Sequence, residues 1–385
     1  MSLLAGLSQQ GDSIAAHNAD AAAHGAVTAI TANADWKRAL CRAASGGGLA
    51  SILWLADSWT AMPTKYWLGR FTKMVKTRFG GKNPGYISFN AIGGQPGSDS
   101  VTPTVTLGSG WTPSDYPSGR GIDNTQITAT SATNATLSVQ LAVDTDATTP
   151  TLLLDSIGAT GSFRYRFNGA AWSTVTITEI GFLAQSLSGA PAGNWLLEIE
   201  LVDAGSGFRF FGLNAVSSNE SHPVIHNAAG SGWGTDNYST MPGGYFKRSL
   251  AALNPDLTCI FLGNNDRNIC LSLADVDIIT ANLQTIITRI RETFAWKPIL
   301  VVMPPENYQG LTKPVPMSYM SAEFKRVADS NGCLFLDLQP YFGTQLTDYG
   351  DGARELILSS NPGHPTTDGC NAIASAIFER LFASM

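Results

Sequence analysis

Four residues of this chain have side chains or backbone groups that could take part in acyl transfer. They are Ser58, Asn265, His364 and Gly232, which ends a glycine-rich turn. A serine hydroxyl is a poor nucleophile until a base removes its proton, and a histidine that titrates near neutral pH is suited to do so. Backbone N–H groups and side-chain amides are donors that can stabilise an oxyanion. For this chemistry the four residues must meet in space.

Each of the four follows an apolar stretch that is typical of a buried strand. Residues 49–55 are apolar except for Ser51 and end abruptly before Asp57-Ser58, as expected for a parallel strand covered on both faces. Similar stretches lie at 224–226, 257–262, 298–303 and 333–338. Segments with helical periodicity alternate with them, at residues 66–79, 273–294, 317–331 and 366–382. The alternation predicts an α/β fold with a flavodoxin-like parallel sheet, and the carboxyl ends of its strands would bring the four residues to one edge.

In order and position, the segments around these residues resemble the sequence blocks of the SGNH (GDSL) hydrolase family. They are Ala-Asp-Ser (56–58), Asn-Ala-Ala-Gly-Ser-Gly (227–232), Gly-Asn-Asn-Asp (263–266) and Asn-Pro-Gly-His-Pro (361–365). The resemblance covers residues 49–80 and 222–385. It implies a serine esterase with Ser58 as the nucleophile and His364 as the base. It also implies an oxyanion hole made of the backbone N–H groups of Ser58 and Gly232 and the amide of Asn265, with no metal and no organic cofactor.

Two residues depart from the family pattern. Ala56 replaces a glycine, a change between small residues that we expect to be tolerated. Asn361 stands where the family usually has the aspartate of a catalytic triad, and its amide cannot stabilise the imidazolium of His364 by charge. In another serine hydrolase the change from Asp to Asn lowered the rate about 10⁴-fold. Three explanations stay open: a Ser-His dyad, a substitute acid such as Asp351 or Asp368, or a weak or inactive site.

Residues 97–221 differ in character from the rest of the chain. Charged residues are sparse, and short alternating stretches such as 136–141 and 163–167 are separated by turn clusters. This pattern predicts a β-sandwich of the jelly-roll or carbohydrate-binding type, inserted between the first helix and the second strand of the α/β domain. The predicted organisation is an N-terminal tail-fibre-like segment (1–45), an SGNH hydrolase domain (46–96 and 222–385) and the inserted sandwich (97–221).

The bulk composition argues against several classes of function. Only 14% of the 385 residues are charged, the net charge is −6, and no Lys/Arg cluster occurs, so a nucleic-acid partner is not expected. No apolar run is long enough to span a membrane, and the N-terminus lacks the pattern of a signal peptide. The five cysteines are an odd number without metal-type spacing, so neither a disulfide framework nor a metal site is predicted.

One segment near the N-terminus bears on the biological context. Residues 17–24, His-Asn-Ala-Asp-Ala-Ala-Ala-His, resemble the HNxDxxAH segments of bacteriophage tail-fibre and tail-associated proteins. Together with residues 80–86 and the inserted sandwich, this implies a phage or prophage tail protein, made in the bacterial cytoplasm and located in the virion tail or outside the cell. An acetylated polysaccharide or glycan, a homotrimer and other tail proteins are the expected partners. A plain surface helix or linker is the alternative for residues 17–24.

The predicted function is hydrolysis of O-acyl esters, above all O-acetyl esters, on a surface polysaccharide. Trp59 and Trp233 could line a sugar-binding cleft or pack in the core, and Asp57 and Asp266 are expected to hold loops by hydrogen bonds to backbone donors. A second serine in the same motif, Ser13, follows Gln-Gln rather than a strand and is not favoured as the nucleophile.

Other classes of function remain as alternatives. One is a non-catalytic glycan-binding adhesin, for which Asn361 is the best evidence. A second is a structural tail protein that oligomerises through the sandwich. A lipase or thioesterase is a further alternative within the enzymes.

Overall fold

The computed structural model describes residues 21–61, 67–81, 84–89, 103–141, 148–158, 160–216, 222–343 and 345–382. Its strands, in chain order, are β1 (Ala50–Ala56), β2 (Gly85–Ser88), β3 (Thr104–Leu107), β4 (Thr112–Ser114), β5 (Gln126–Ala129), β6 (Thr136–Leu141), β7 (Thr151–Ser156), β8 (Gly161–Phe167), β9 (Ser173–Ile177), β10 (Gly181–Ser186), β11 (Trp195–Asp203), β12 (Phe208–Ala215), β13 (Pro223–Asn227), β14 (Leu257–Phe261), β15 (Ile299–Met303) and β16 (Leu334–Asp337). Its helices are α1 (Ala21–Ala44), α2 (Ser58–Ala61), α3 (Trp67–Phe79), α4 (Thr235–Thr240), α5 (Gly243–Leu253), α6 (Asn264–Ile269), α7 (Leu273–Thr293), α8 (Met317–Ser330), α9 (Gln339–Phe342) and α10 (Thr367–Phe382).

The centre of the α/β part is a parallel sheet of five strands. Their spatial order is β13-β1-β14-β15-β16, and all neighbouring pairs are parallel. Counted within this sheet the order is 2-1-3-4-5, which is the doubly wound, flavodoxin-like order. The predicted α/β class with a parallel sheet is therefore confirmed.

Helices cover both faces of this sheet because its strands are apolar on both sides. Every residue of β1 is buried. Side chains of α1, α3 and α10 form one core cluster with alternate residues of β1, and those of α5, α7 and α8 form another with the residues between. Helix α7 begins at the N-cap Ser272, whose side chain accepts a hydrogen bond from the backbone N–H of Asp275.

Two antiparallel sheets account for most of the chain between β1 and β13. One has the order β10-β7-β12-β5-β4, with β2 paired to β12, and the other has the order β3-β6-β11-β8-β9. In β8 and β11 buried and partly exposed residues alternate, and the buried side chains of both sheets share one hydrophobic cluster. Strand β2 lies within residues 46–96, yet its partner is the antiparallel strand β12.

The first antiparallel sheet packs directly on the α/β part. Ile122, Leu153 and Phe211 belong to the same core cluster as Leu53 and Tyr238. These buried contacts hold the loops of the antiparallel sheet against the α4 region, which contributes to the candidate site.

Some sequence features fall outside these observations. Residues 1–20, which include Ser13 and the first half of the segment 17–24, lie outside the described residues. Within the described part, no helix has the length and apolar character required to cross a bilayer.

Candidate active site

Ser58 and His364 meet at the carboxyl edge of the parallel sheet. The Oγ atom of Ser58 lies 2.9 Å from Nε2 of His364, although the two residues are 306 positions apart in the chain. Ser58 is buried, and His364 is partly exposed. At this distance the imidazole can accept the hydroxyl proton and return it later, which is the arrangement needed for an activated serine.

The turn after β1 places Ser58 through local hydrogen bonds. The backbone oxygen of Asp57 accepts hydrogen bonds from the N–H groups of Thr60 and Ala61, and its Oδ1 accepts one from the N–H of Trp59 at 2.9 Å. These contacts end the strand at Ala56 and begin the short helix α2 at Ser58. Asp57 therefore holds the loop, as its position in the sequence indicates.

Trp59 connects the serine turn to the histidine loop. Its Nε1 donates a hydrogen bond to the backbone oxygen of Gly363 at 2.7 Å, next to His364. Its ring is fully buried and packs edge-to-face against Phe261. The interpretation of Trp59 as a residue that lines a cleft is thus wrong, because the side chain lies in the core.

The histidine loop is also held from its other side. The backbone N–H of Tyr308 donates to the oxygen of Pro362 at 3.1 Å, and Pro365 forms a β-bridge with Ile357. A Cβ atom at Gly363 would lie 2.9 Å from the side chain of Gln309. A larger residue directly before His364 would therefore have to displace the end of the Gln309 side chain.

The acidic and amide residues proposed to support His364 make other contacts. The side chain of Asn361 is exposed, and its recorded contact with His364 is a backbone hydrogen bond, from the N–H of His364 to the oxygen of Asn361 at 3.2 Å. Asp351 accepts a hydrogen bond from the N–H of Ser359 at 2.9 Å. Hydrogen bonding to the side chain and the backbone of Ser359 lowers the pKa of Asp351. Asp368 accepts a long hydrogen bond, 3.4 Å, from the amide of Asn371.

Gly232 and Asn265 lie together in the wall of a cavity of about 370 Å³. Gly232 has a φ angle of +78°, a conformation that favours glycine, and it faces open space. The Nδ2 atom of Asn265 donates to the backbone oxygen of Trp233 at 2.9 Å. A carboxamide NH₂ carries two hydrogens, so one contact fixes the side chain while the second hydrogen can serve a ligand.

Trp233, the other predicted cleft residue, also lines this cavity, although only 7% of it is exposed. A Cβ atom at Gly230 would lie only 1.8 Å from its ring, so the ring position depends on that glycine.

Tyr238 is a positioning residue whose role the sequence did not indicate. Its fully buried hydroxyl accepts a hydrogen bond from the N–H of Ala56 and lies 2.6 Å from the backbone oxygen of Ala228. It thereby ties the end of β1, which carries Ser58, to the loop that carries Gly232. A tyrosine in a helix gives no sequence signal for such a contact, because both partners are backbone atoms.

Two buried carboxyl groups lie behind the site. Burial, with a contribution from the charge of Asp266, raises the pKa of Asp57 to about 8. Burial also raises the pKa of Asp266, although its Oδ1 accepts hydrogen bonds from the N–H and hydroxyl of Thr235. Asp57 is thus mostly neutral at pH 7, so the residue directly before Ser58 places little negative charge next to the serine.

Asp57→Asn is expected to flatten the pH dependence of stability. Because the folded-state pKa of about 8 lies above the unfolded value near 4, the native chain holds an extra proton between these values and loses stability as pH rises through them. The asparagine has no such proton. As pH increases between these values, the free energy of unfolding of the variant should therefore rise relative to that of the native chain, by at most about 1.4 kcal/mol per pH unit. Urea unfolding at pH 5, 7 and 9 measures this difference.

Asp351→Asn is the matched control, since Asp351 is an exposed carboxyl with a lowered pKa and should leave the slope between pH 5 and 9 unchanged. Equal slopes for the native chain and Asp57→Asn would contradict the assignment of a neutral Asp57.

A comparison with known families finds a match that includes most of the α/β part. Residues 203–372, less than half of the chain, match the family model described as GDSL-like Lipase/Acylhydrolase family. The matched range contains Gly232, Asn265 and His364, whereas Ser58 precedes it, on the other side of the antiparallel sheets. Over this range the chain is similar to enzymes that hydrolyse acyl groups.

Solved structures are similar to this chain to different degrees. A structure described as a peptidoglycan O-acetylesterase in action is 16% identical, with a TM-score of 0.67 over 91% of this chain and 97% of that chain. A salicylyl-acyltransferase from a tetracycline biosynthetic pathway is 16% identical, with a TM-score of 0.34 over 74% of this chain and 95% of that one. A family two carbohydrate esterase from Clostridium thermocellum is 13% identical, with a TM-score of 0.29 over 73% and 100%. A search of curated proteins found no significant match.

Proposed function

We propose that this SGNH enzyme removes O-acetyl groups from a bacterial surface polysaccharide through an acyl-Ser58 intermediate. The observation that carries the proposal is the 2.9 Å contact between Ser58 Oγ and His364 Nε2 at the carboxyl edge of the sheet. The description of one structure of the same fold as a peptidoglycan O-acetylesterase supports an acetylated glycan as the substrate.

In the proposed mechanism His364 accepts the proton of Ser58 as its Oγ attacks the ester carbonyl. The resulting oxyanion accepts hydrogen bonds from the backbone N–H groups of Ser58 and Gly232 and from the amide of Asn265. The sugar hydroxylate then leaves with the proton that His364 returns. Water, deprotonated by His364, attacks the acetyl-serine, and acetate leaves as Ser58 regains its proton.

We further propose that the proton transfers between Ser58 and His364 do not use the side chains of Asn361, Asp351 or Asp368. Asn361 offers His364 a backbone oxygen, and the carboxylates of Asp351 and Asp368 bind Ser359 and Asn371. The burial of Trp59 and its hydrogen bond to Gly363 help to hold the histidine loop in place.

The two antiparallel sheets are, in this proposal, an inserted β-sandwich that shapes the substrate cleft. Their shared core and their packing against the α4 region support this role. Location in a phage tail, with a homotrimer or other tail proteins as partners, is the part of the proposal that rests on the sequence features of residues 17–24 and 80–86 and on the inserted sandwich.

Acyl-chain length and carrier test the proposed substrate. We expect kcat/KM for p-nitrophenyl acetate to exceed that for p-nitrophenyl octanoate by about tenfold or more. The reason is that even one or two methylene groups without a matching apolar pocket lower kcat/KM by a large factor. Acetate release from O-acetylated peptidoglycan should also be measured. If the longer ester is hydrolysed and no acetate is released from acetylated glycans, the proposed substrate is wrong, although the protein is still an esterase.

A glycan-binding adhesin on an SGNH scaffold is the second candidate, and the exposed Asn361 in place of a triad acid favours it. It predicts that Ser58→Ala binds glycan as well as the native chain does and that the native chain forms no acyl-enzyme. Trapping of an acetyl-serine on Ser58 would exclude it.

A further inference from the structure

A second cavity, of about 410 Å³, adjoins the first along a single turn of the chain. Asp115 and Tyr116 line the cavity that holds Gly232 and Asn265, whereas residues 117–120 line the second one. We call the second cavity the Arg120 pocket; its other walls are Gln126, Arg209 and Pro242. The antiparallel sheet and the loop after α4 thus build it together, beside the candidate active site.

The Arg120 pocket carries a positive charge that the described residues do not neutralise. Nη1 of Arg209 donates to Asp155 at 2.6 Å, so that cation is balanced by a buried carboxylate. The guanidinium of Arg120 lies 5.1 Å from the ring centre of Tyr245, whose hydroxyl donates to Asp155. No described carboxylate forms an ion pair with Arg120, and the aromatic ring holds its planar group in place.

Gln126 supplies an independent sign of a ligand. Only 6% of Gln126 is exposed, and the residue lines the pocket. Its Oε1 has no hydrogen-bond partner among the described residues. A buried acceptor without a partner is costly, and a hydroxyl group of a bound sugar would satisfy it.

The first cavity has the opposite charge. Asp115 and Asp236 contribute carboxyl groups to it, together with the buried Asp266, and none of its lining residues is a lysine or arginine. A carboxylate on the substrate is therefore disfavoured next to Gly232 and favoured at Arg120, because like charges repel and a guanidinium binds carboxylates by paired hydrogen bonds.

We propose that the Arg120 pocket binds a carboxylate-bearing sugar unit of the polysaccharide, adjacent to the unit whose ester reaches Ser58. This inference rests on the proposed function, from which it takes that the ligand is a glycan. Arg120 is the specificity-determining residue in this assignment, and Gln126 accepts a hydrogen bond from a sugar hydroxyl.

Binding of two matched disaccharides tests this inference. The probes are the deacetylated peptidoglycan disaccharide with its free lactyl carboxylate and the same disaccharide with that carboxyl amidated. The native chain should bind the free carboxylate about tenfold more tightly, as expected for one charge-assisted contact. Arg120→Gln should lower this ratio to about 1, and Arg120→Lys, which keeps the charge, should retain a ratio of several-fold. Dissociation constants from calorimetric or NMR titration give the ratios.

Arg326→Gln is the matched control, because Arg326 is an exposed arginine on α8 paired with Glu323 and should keep the native ratio. Equal affinities of the native chain for both probes, no binding of either, or an unchanged ratio in Arg120→Gln would each overturn the proposal. Neither probe carries an O-acyl ester, so these results are independent of ester hydrolysis. Absence of Ser58-dependent hydrolysis of p-nitrophenyl acetate would instead overturn the proposed function.

Discussion

Ser58→Ala is expected to lower kcat for p-nitrophenyl acetate by about 10⁴-fold or more. The hydroxyl that lies 2.9 Å from His364 is the only atom in this arrangement that can form the acyl-enzyme. Removal of the nucleophile of a serine hydrolase leaves only the contribution of the oxyanion donors and of substrate binding. Initial rates at saturating ester, with active-site titration of the native enzyme, measure the effect.

His364→Ala should cost a similar factor, and the double variant should be no worse than either single one. Serine and base act as a unit, so their losses do not add. Ser13→Ala is the matched control, since Ser13 follows Gly-Asp in the same three-residue motif, and it should leave kcat within about twofold. If Ser13→Ala lost most of its activity and Ser58→Ala stayed active, the nucleophile would be Ser13 and not Ser58.

Asn265→Ala is expected to lower kcat by about 10²–10³-fold with a much smaller change in KM. The second amide hydrogen of Asn265 is proposed to bind the oxyanion, which exists only in the transition state and the intermediate, so its loss affects kcat. The hydrogen bond from Nδ2 to the oxygen of Trp233 explains why this side chain is held in place before substrate binds.

Asn268→Ala controls for damage to helix α6, because Asn268 lies on the same short helix and donates to Gln309 rather than to the cavity. It should leave kcat within about threefold. Thermal unfolding of both variants separates a local loss of stability from a catalytic effect. If Asn265→Ala raised KM and left kcat unchanged, Asn265 would be a binding residue and not an oxyanion donor.

The strands and helices of the α/β part were predictable because their signals are local. A largely apolar run such as 49–55 indicates a strand or helix that is buried on all sides, and its length and its polar end favour a strand. Helix α7 is predictable from its N-cap at Ser272 and its apolar stripe. The order of four short motifs at strand ends then sufficed to predict the contact between Ser58 and His364.

The remaining features depend on which distant groups the fold brings together, and no local pattern reports them. Trp59 follows the nucleophile and could have faced substrate, but the histidine loop closes over it and buries the ring. The pKa of Asp57 follows from burial, and the tie made by Tyr238 uses backbone atoms, so neither leaves a signature in residue types. The Arg120 pocket exists only because the antiparallel sheet packs beside the loop after α4. Sequence alone thus determined the elements and the chemistry at their ends, whereas tertiary packing decided burial, charge environment and the shape of the cavities, since these are properties of contacts between residues far apart in the chain.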